Sequence, residues 1–299
     1  MAVPLNRREL GLTLTRLANA SDIELASWGQ QEPALNPARR IGVTGAPGAG
    51  KSTLLGRLAL HRLTKGRVGV LAVDPSSPKT GGAILGDRIR MDDLERSSEL
   101  YIRSFGSRAS SDGLTDNLCE MLDAMDNFAF HEVFLETVGV GQAEYAVRQY
   151  VDTLVLVMHP DSGDTVQAMK AGISEMADIF VVTKADLSGA QKAVNHVKHI
   201  ASLVPRANNS WEPPVLLMSE TQPQLIEAIS GAIDQHQQWS EQQGFKEQQL
   251  LLRNRYRLQR LLERAIAQVL VRQEARFFTK SVGTQLELVL KILGKSTRR

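Results

Sequence analysis

The run Gly45-Ala46-Pro47-Gly48-Ala49-Gly50-Lys51-Ser52-Thr53 has the spacing G-x-x-x-x-G-K-S/T, in which a glycine-rich turn wraps a polyphosphate. The residue types follow from that chemistry. Consecutive backbone N–H groups must converge on phosphate oxygens, which demands positive φ and close approach. A helix starting just after the turn adds partial positive charge at its N-terminus. Lys51 is the candidate bridge between β- and γ-phosphates, and Ser52 offers its hydroxyl to Mg²⁺. An apolar run at 41–44 precedes the turn and a helical pattern at 52–65 follows it, so strand, loop and helix are all in place.

Phosphoryl transfer also needs carboxylates near the metal. Asp74 ends the apolar run 68–73, and Glu136 ends the run 133–135. Both are expected at the C-terminal edge of a parallel sheet, where such sites form. Glu136-Thr137-Val138-Gly139 has the acidic-x-x-Gly form in which the Gly139 N–H senses the γ-phosphate. Asp87 lies in a loop, Gly86-Asp87-Arg88, able to fold over a nucleotide, and Gln142 is a candidate to orient the attacking water. Downstream, Thr183-Lys184-Ala185-Asp186 follows another apolar run. An aspartate there accepts from both N1–H and the exocyclic amine of guanine, a donor pair adenine lacks. Lys184 would lay its aliphatic stem along the base. Ser219, after the run 215–218, is a further candidate for the base loop.

These residues need a scaffold. Apolar runs at 41–44, 68–73, 133–136, 153–158, 179–183 and 215–218 alternate with helical patterns at 52–65, 115–127, 165–176, 190–203 and 224–235. Runs apolar on both faces and separated by helices predict an α/β fold with a mostly parallel sheet. Residues 5–30 read as one or two short helices, with Ser21-Asp22 a plausible cap between them. Prolines 33 and 37 mark a linker. From about Lys246 to Phe278, leucines recur at three and four with arginines in the gaps. That pattern predicts an amphipathic helix of roughly 50 Å, ended by Gly283 before a last short helix. Three units are expected: 1–38, 39–240 and 241–299.

Composition excludes several classes. The chain has 299 residues, 42% hydrophobic and 23% charged, with 35 Lys+Arg against 33 Asp+Glu. A net charge of +2 is too small for a nucleic-acid coat or a polybasic membrane binder. No apolar stretch reaches a membrane span, and the first residues lack a signal-peptide core. The single Cys119 permits no intrachain disulfide and fits a reducing cytoplasm. His196 and His199, three apart, lack a third metal ligand. Trp28, Trp211 and Trp239 are too scattered for a base-stacking platform, and the arm arginines read as solvated helix-surface charge.

One stretch is more specific. Residues 74–91, DPSSPKTGGAILGDRIRM, together with 136–142, ETVGVGQ, and Tyr101-Ile102-Arg103-Ser104, resemble the signature of the ArgK/MeaB GTPases. The resemblance is strong over 40–186 and architectural beyond. It implies a P-loop sheet flanked by N-terminal helices and a C-terminal dimerisation arm. It implies a GTPase that uses GTP/GDP and Mg²⁺, acting as a chaperone of an adenosylcobalamin-dependent acyl-CoA mutase such as methylmalonyl-CoA mutase. By position it places Ser52, Asp74, Asp87 and Glu136 around Mg²⁺ and Thr183, Lys184 and Asp186 against guanine. Residues 159–170 match the family's third switch loop, with Ser162-Gly163-Asp164-Thr165 where Gly-Gly-Asp and a second acid are usual. The rival readings are a kinase linked to amino-acid transport, which would need an acceptor and a base, and a non-hydrolysing nucleotide-dependent scaffold.

Overall fold

The computed structural model describes residues 4–21, 24–25, 28, 34–75, 97–107, 114, 117–137, 145–160, 176–203 and 210–296. Within them seven strands run parallel: β1 Arg39–Thr44, β2 Val68–Pro75, β3 Leu100–Ser107, β4 Glu132–Glu136, β5 Thr153–Met158, β6 Ile179–Val182 and β7 Val215–Leu217. Their order is β3-β2-β4-β1-β5-β6-β7. The described helices are α1 Arg7–Ala18, α2 Lys51–Arg62, α3 Leu118–Asn127, α4 Ala190–Leu203, α5 Leu225–Gln242, α6 Phe245–Val271 and α7 Val282–Ser296.

Strand alternation assigns each face its cover. Ile41 and Val43 of β1, Phe134 of β4, and Val155 and Val157 of β5 pack against Leu54, Leu55 and Leu58 of α2 and Ile226, Ile229 and Ile233 of α5. On the other face, Leu71, Val133, Leu135 and Leu154 meet Leu10 and Leu14 of α1 and Met121, Leu122 and Met125 of α3. Leu156, Met158 and Phe180 meet α4 through Val194 and Val197. Each such side chain contributes about 1.5–3 kcal/mol when fully buried.

The two helices over the Phe134 face of β4 are pinned by charge. Arg62, at the end of α2, is fully buried and pairs with Glu132 through two nitrogens. It also donates to Ser230 Oγ at 2.8 Å and Asp234 at 2.8 Å, both on α5. Removing one partner strands a buried charge. Arg62→Met is expected to lower unfolding free energy by about 3–5 kcal/mol, with Arg62→Met/Glu132→Leu recovering most of it. Denaturant titrations of the two variants check this; equal losses would disprove the pairing as the cause.

Six of the strands coincide with the apolar runs; β3 does not. Arg103 interrupts its hydrophobic pattern because β3 is an edge strand. Arg103 donates to Gly11 O at 2.6 Å and Thr15 Oγ1 at 2.7 Å, while Arg7 reaches Ser97 O at 2.8 Å and also Leu100 O. Helix α1 thereby covers the open edge. Beyond α1, Ser21 acts as expected of a cap: the Glu24 carboxylate accepts its N–H and hydroxyl, each at 2.8 Å.

The C-terminal arm departs from expectation in two ways. Helix α6 stops at Val271, where a turn inserts buried Phe277, and Gly283 lies inside α7 rather than ending α6. The arm arginines are also not all solvent charge. Arg253 pairs with Asp152 at 2.6 Å, Arg257 with Glu120 at 2.8 Å and Asp123 at 3.0 Å, and Arg264 with Asn117. Tyr256 meets Tyr150 edge-on at 5.5 Å. Helical spacing gathers these residues on one docking face. Leu251, Leu258, Leu262 and Ile266 line another face, exposed by 69%, 58%, 51% and 38%.

Candidate functional site

Strand β1 pairs with β4 on one side and β5 on the other, so the chain changes direction across it. Ligand crevices in such sheets open at the C-terminal ends of the strands flanking that point. The glycine turn leaves β1 there. Gly45 has φ of 140°, and a Cβ on it would lie 2.0 Å from Val157 O of β5, so no side chain fits. Gly50, at φ 90°, ends the turn as the cap of α2. Pro47 and Gly48 form an exposed crest, while Ala46 is half-buried and Ala49 fully buried beneath it.

Lys51 is 7% exposed, and its ammonium donates to Gly45 O at 2.7 Å and Ala46 O at 3.0 Å. The charge is therefore held against the turn itself. Ser52 donates its hydroxyl to Glu136 Oε1 at 2.7 Å, and Thr53 follows on the same first turn of α2. Glu136 is buried at the end of β4. The next residue, Thr137, shares a hydrogen bond of 2.8 Å with Thr44 Oγ1. Asp74 is on the same edge: Ala72 pairs with Glu136, and Asp74 follows two residues later opposite Gly106. Asp87, Gly139 and Gln142 lie outside the described residues, as does nearly all of loop 159–170.

Among the described residues no group of three or more His, Cys, Asp and Glu is arranged to hold a metal. Mg²⁺ keeps several waters and takes one or two protein oxygens alongside substrate phosphates. The adjacent Ser52 hydroxyl and Glu136 carboxylate are hard oxygen donors of that kind. His196 and His199 are exposed on α4. Burial, reinforced by Glu120 and Asp123, pushes the Cys119 thiol up to about 12, so it is neither ligand nor nucleophile at neutral pH.

The second cluster faces the turn from β6. Thr183 is 2% exposed, and its hydroxyl is shared between Ala49 O at 2.7 Å and Met158 O at 3.2 Å. It braces the phosphate turn. Lys184, at φ 50°, and Asp186 are exposed beyond it. Ser219 is 1% exposed and donates to Asp186 Oδ1 at 3.1 Å. The β6 and β7 loops are tied together where Ala185 N donates to Met218 O at 3.0 Å. The structure thus brings Lys51, Ser52 and Glu136 together beneath the turn, and Asp186 and Ser219 together beside it.

Two features escaped sequence reading. Arg57, flanked by Leu54, Leu55 and Leu58 on α2, donates to Glu220 O at 2.8 Å and Ser219 O at 3.3 Å. A charged residue inside an otherwise apolar helix face was the signal available. Trp211 and Trp239, judged scattered, meet at 5.7 Å and enclose His236. His236 bonds Thr153 at 2.9 Å and Asp178 at 3.3 Å. Burial raises the Asp178 carboxyl, but Arg148 and His236 outweigh it and hold it low. This is an anchor at the opposite edge of the sheet.

Residues 30–275 match the family model of the methylmalonyl Co-A mutase-associated GTPase MeaB. A Pyrococcus horikoshii protein whose name places it among GTPases is 38% identical over 242 residues, covering 80% of this chain and 76% of that one. The mitochondrial methylmalonic aciduria type A homolog of Mus musculus is 36% identical over 217 residues, 71% of this chain but 52% of the relative. A crystal structure described as a LAO/AO transport system kinase shares the fold with a TM-score of 0.61 at 24% identity, covering 98% of this chain and all of that one.

Proposed function

Because the chain belongs to the MeaB family of P-loop GTPases, we propose that it cleaves GTP to GDP and phosphate in order to gate cofactor loading of an adenosylcobalamin-dependent acyl-CoA mutase. The observation that carries the catalytic half is the Ser52–Glu136 hydrogen bond directly under the glycine turn. It sets a hydroxyl and a carboxylate side by side where a triphosphate's metal belongs.

Catalysis in this site is positioning and charge neutralisation. The turn N–H groups of Ala46, Gly48, Ala49 and Gly50 and the N-terminus of α2 receive the phosphate oxygens. Lys51 exchanges its carbonyl partners for the β- and γ-phosphates, and Gly139 and Gln142 serve the γ-phosphate and its attacking water. Ser52, Glu136, Asp74 and Asp87 would hold Mg²⁺, which neutralises charge developing between the β- and γ-oxygens. Lys184 and Asp186 read guanine, with Thr183 and Ser219 setting their loops.

The partner half of the proposal is supported by the names of the family and of the mouse relative. Loop 159–170, leaving β5 beside Gly45, is the segment through which nucleotide state reaches the client. The test is affinity capture from the native cytoplasm with a non-hydrolysable GTP analogue and with GDP. A cobalamin-dependent mutase enriched in one nucleotide state is expected; equal recovery, or none, would sink the gating role.

The arm is proposed to close a homodimer. Its support is the exposed stripe of Leu251, Leu258, Leu262 and Ile266, joined by Leu286 and Leu290 of α7. A second copy buries such a stripe symmetrically. Leu258→Asp/Leu262→Asp is expected to sediment as a monomer where the unmodified protein sediments as a dimer, with its helical circular-dichroism signal retained.

A further inference from the structure

Helix α2 does more than end the phosphate turn. Its second turn carries Arg57, half-buried, whose Nη1 reaches the β7–α5 connection and donates to Glu220 O at 2.8 Å and Ser219 O at 3.3 Å. These carbonyls belong to the segment whose Ser219 hydroxyl donates to Asp186 Oδ1 at 3.1 Å. That hydroxyl is itself held: Thr221 N donates to it at 3.2 Å, and Thr221 Oγ1 lies 2.9 Å away. A guanidinium is always charged and the two N–H bonds of its Nη1 have fixed directions in the guanidinium plane, so that one nitrogen suits the clamping of two successive carbonyls.

We propose that Arg57 is a positioning residue for base recognition, fixing the 219–221 loop so that Ser219 orients the Asp186 carboxylate toward the 2-amino-6-oxo edge of the purine. Arg57 touches neither phosphate nor base. It acts through Ser219, and it makes the phosphate turn and the base loop two ends of one rigid unit, with α2 between them. This rests on the guanine reading of Asp186 and adds to it the residue that holds the geometry.

The test measures dissociation constants for GDP, IDP and ADP with the full-length protein, its Arg57→Ala and Arg57→Lys variants, and Ser219→Ala. IDP lacks only the exocyclic amine, so the GDP:IDP ratio reports the alignment of Asp186. A well-aligned charged hydrogen bond gives a ratio of about tenfold or more in the unmodified protein. Arg57→Ala is expected to weaken GDP about tenfold and IDP no more than about twofold, compressing the ratio toward one. Turnover at saturating GTP stays within about twofold, and Arg57→Lys restores part of the ratio. Ser219→Ala is expected to compress the ratio in the same way and keeps the proposal testable if Arg57→Ala does not fold. Parallel loss for GDP and IDP, or an unchanged ratio in both alanine variants, overturns the role of Arg57. If the unmodified protein binds GDP and ADP equally, the guanine reading itself fails, which is a separate result from discrimination that survives the loss of Arg57.

Discussion

Lys51→Ala lowers GTP turnover at saturating nucleotide by at least about 10²–10³-fold, the cost of deleting one preorganised electrostatic group aimed at developing charge. The structure gives this substitution two consequences. The ammonium already bonds Gly45 O and Ala46 O, so its loss also removes the brace across the turn's entrance. Binding of GDP should weaken far less than turnover falls, because the turn amides and the α2 N-terminus remain. Single-turnover hydrolysis with labelled γ-phosphate, beside GDP titration, separates the two effects. The label should appear as inorganic phosphate. Turnover unchanged in the variant would refute the site.

The second large effect is on base choice. Asp186→Asn replaces the carboxylate proposed to accept from two guanine donors with an amide that presents a donor of its own. Losing hydrogen bonds to a charged group costs about 1.5–3 kcal/mol, or roughly 10- to 100-fold in GTP affinity. Xanthosine triphosphate carries a carbonyl where guanine has its amine, so it should be spared or bind better. Competition between the two nucleotides checks this, and an unaltered preference for GTP would remove Asp186 from the pocket. The structure adds a condition: Ser219 Oγ must still find an acceptor at 186, and the asparagine carbonyl supplies one.

The parallel sheet, its two helical layers and the glycine turn were legible because each rests on a local rule. Strands buried on both faces are apolar throughout, as in 153–158, and glycines 45 and 50 mark backbone that no other residue adopts without strain. What stayed hidden depends on contacts between distant segments. Strand β3 reads as irregular because Arg103 answers to α1, more than 80 positions earlier. The docking face of α6 reads as solvent charge because Asp152, Glu120 and Asp123 come from elements far upstream. Thr183 was placed against the base by analogy of position. Its short hydroxyl reaches Ala49 O, a distance no pattern of types reveals. Residues 87, 139 and 142 fall outside the described residues; Asp87 is assigned by its loop and by the resemblance, Gly139 and Gln142 by the motif around Glu136.

The place of β1 in the sheet has a consequence for how the chain acquires its shape. Arg39 pairs with Glu132 and Ile41 with Thr153, so β1 lies between two strands that emerge from the ribosome much later. The early segment has no partner until β4 has been made and stays open on its other side until β5 follows, and a parallel sheet of such non-local pairings is expected to fold slowly. Val157 O, which excludes any side chain at Gly45, arrives with β5, long after the turn itself. The guanine nucleotide therefore finds its cradle only on a completed chain, and a truncation before residue 158 should emerge from synthesis with no affinity for it.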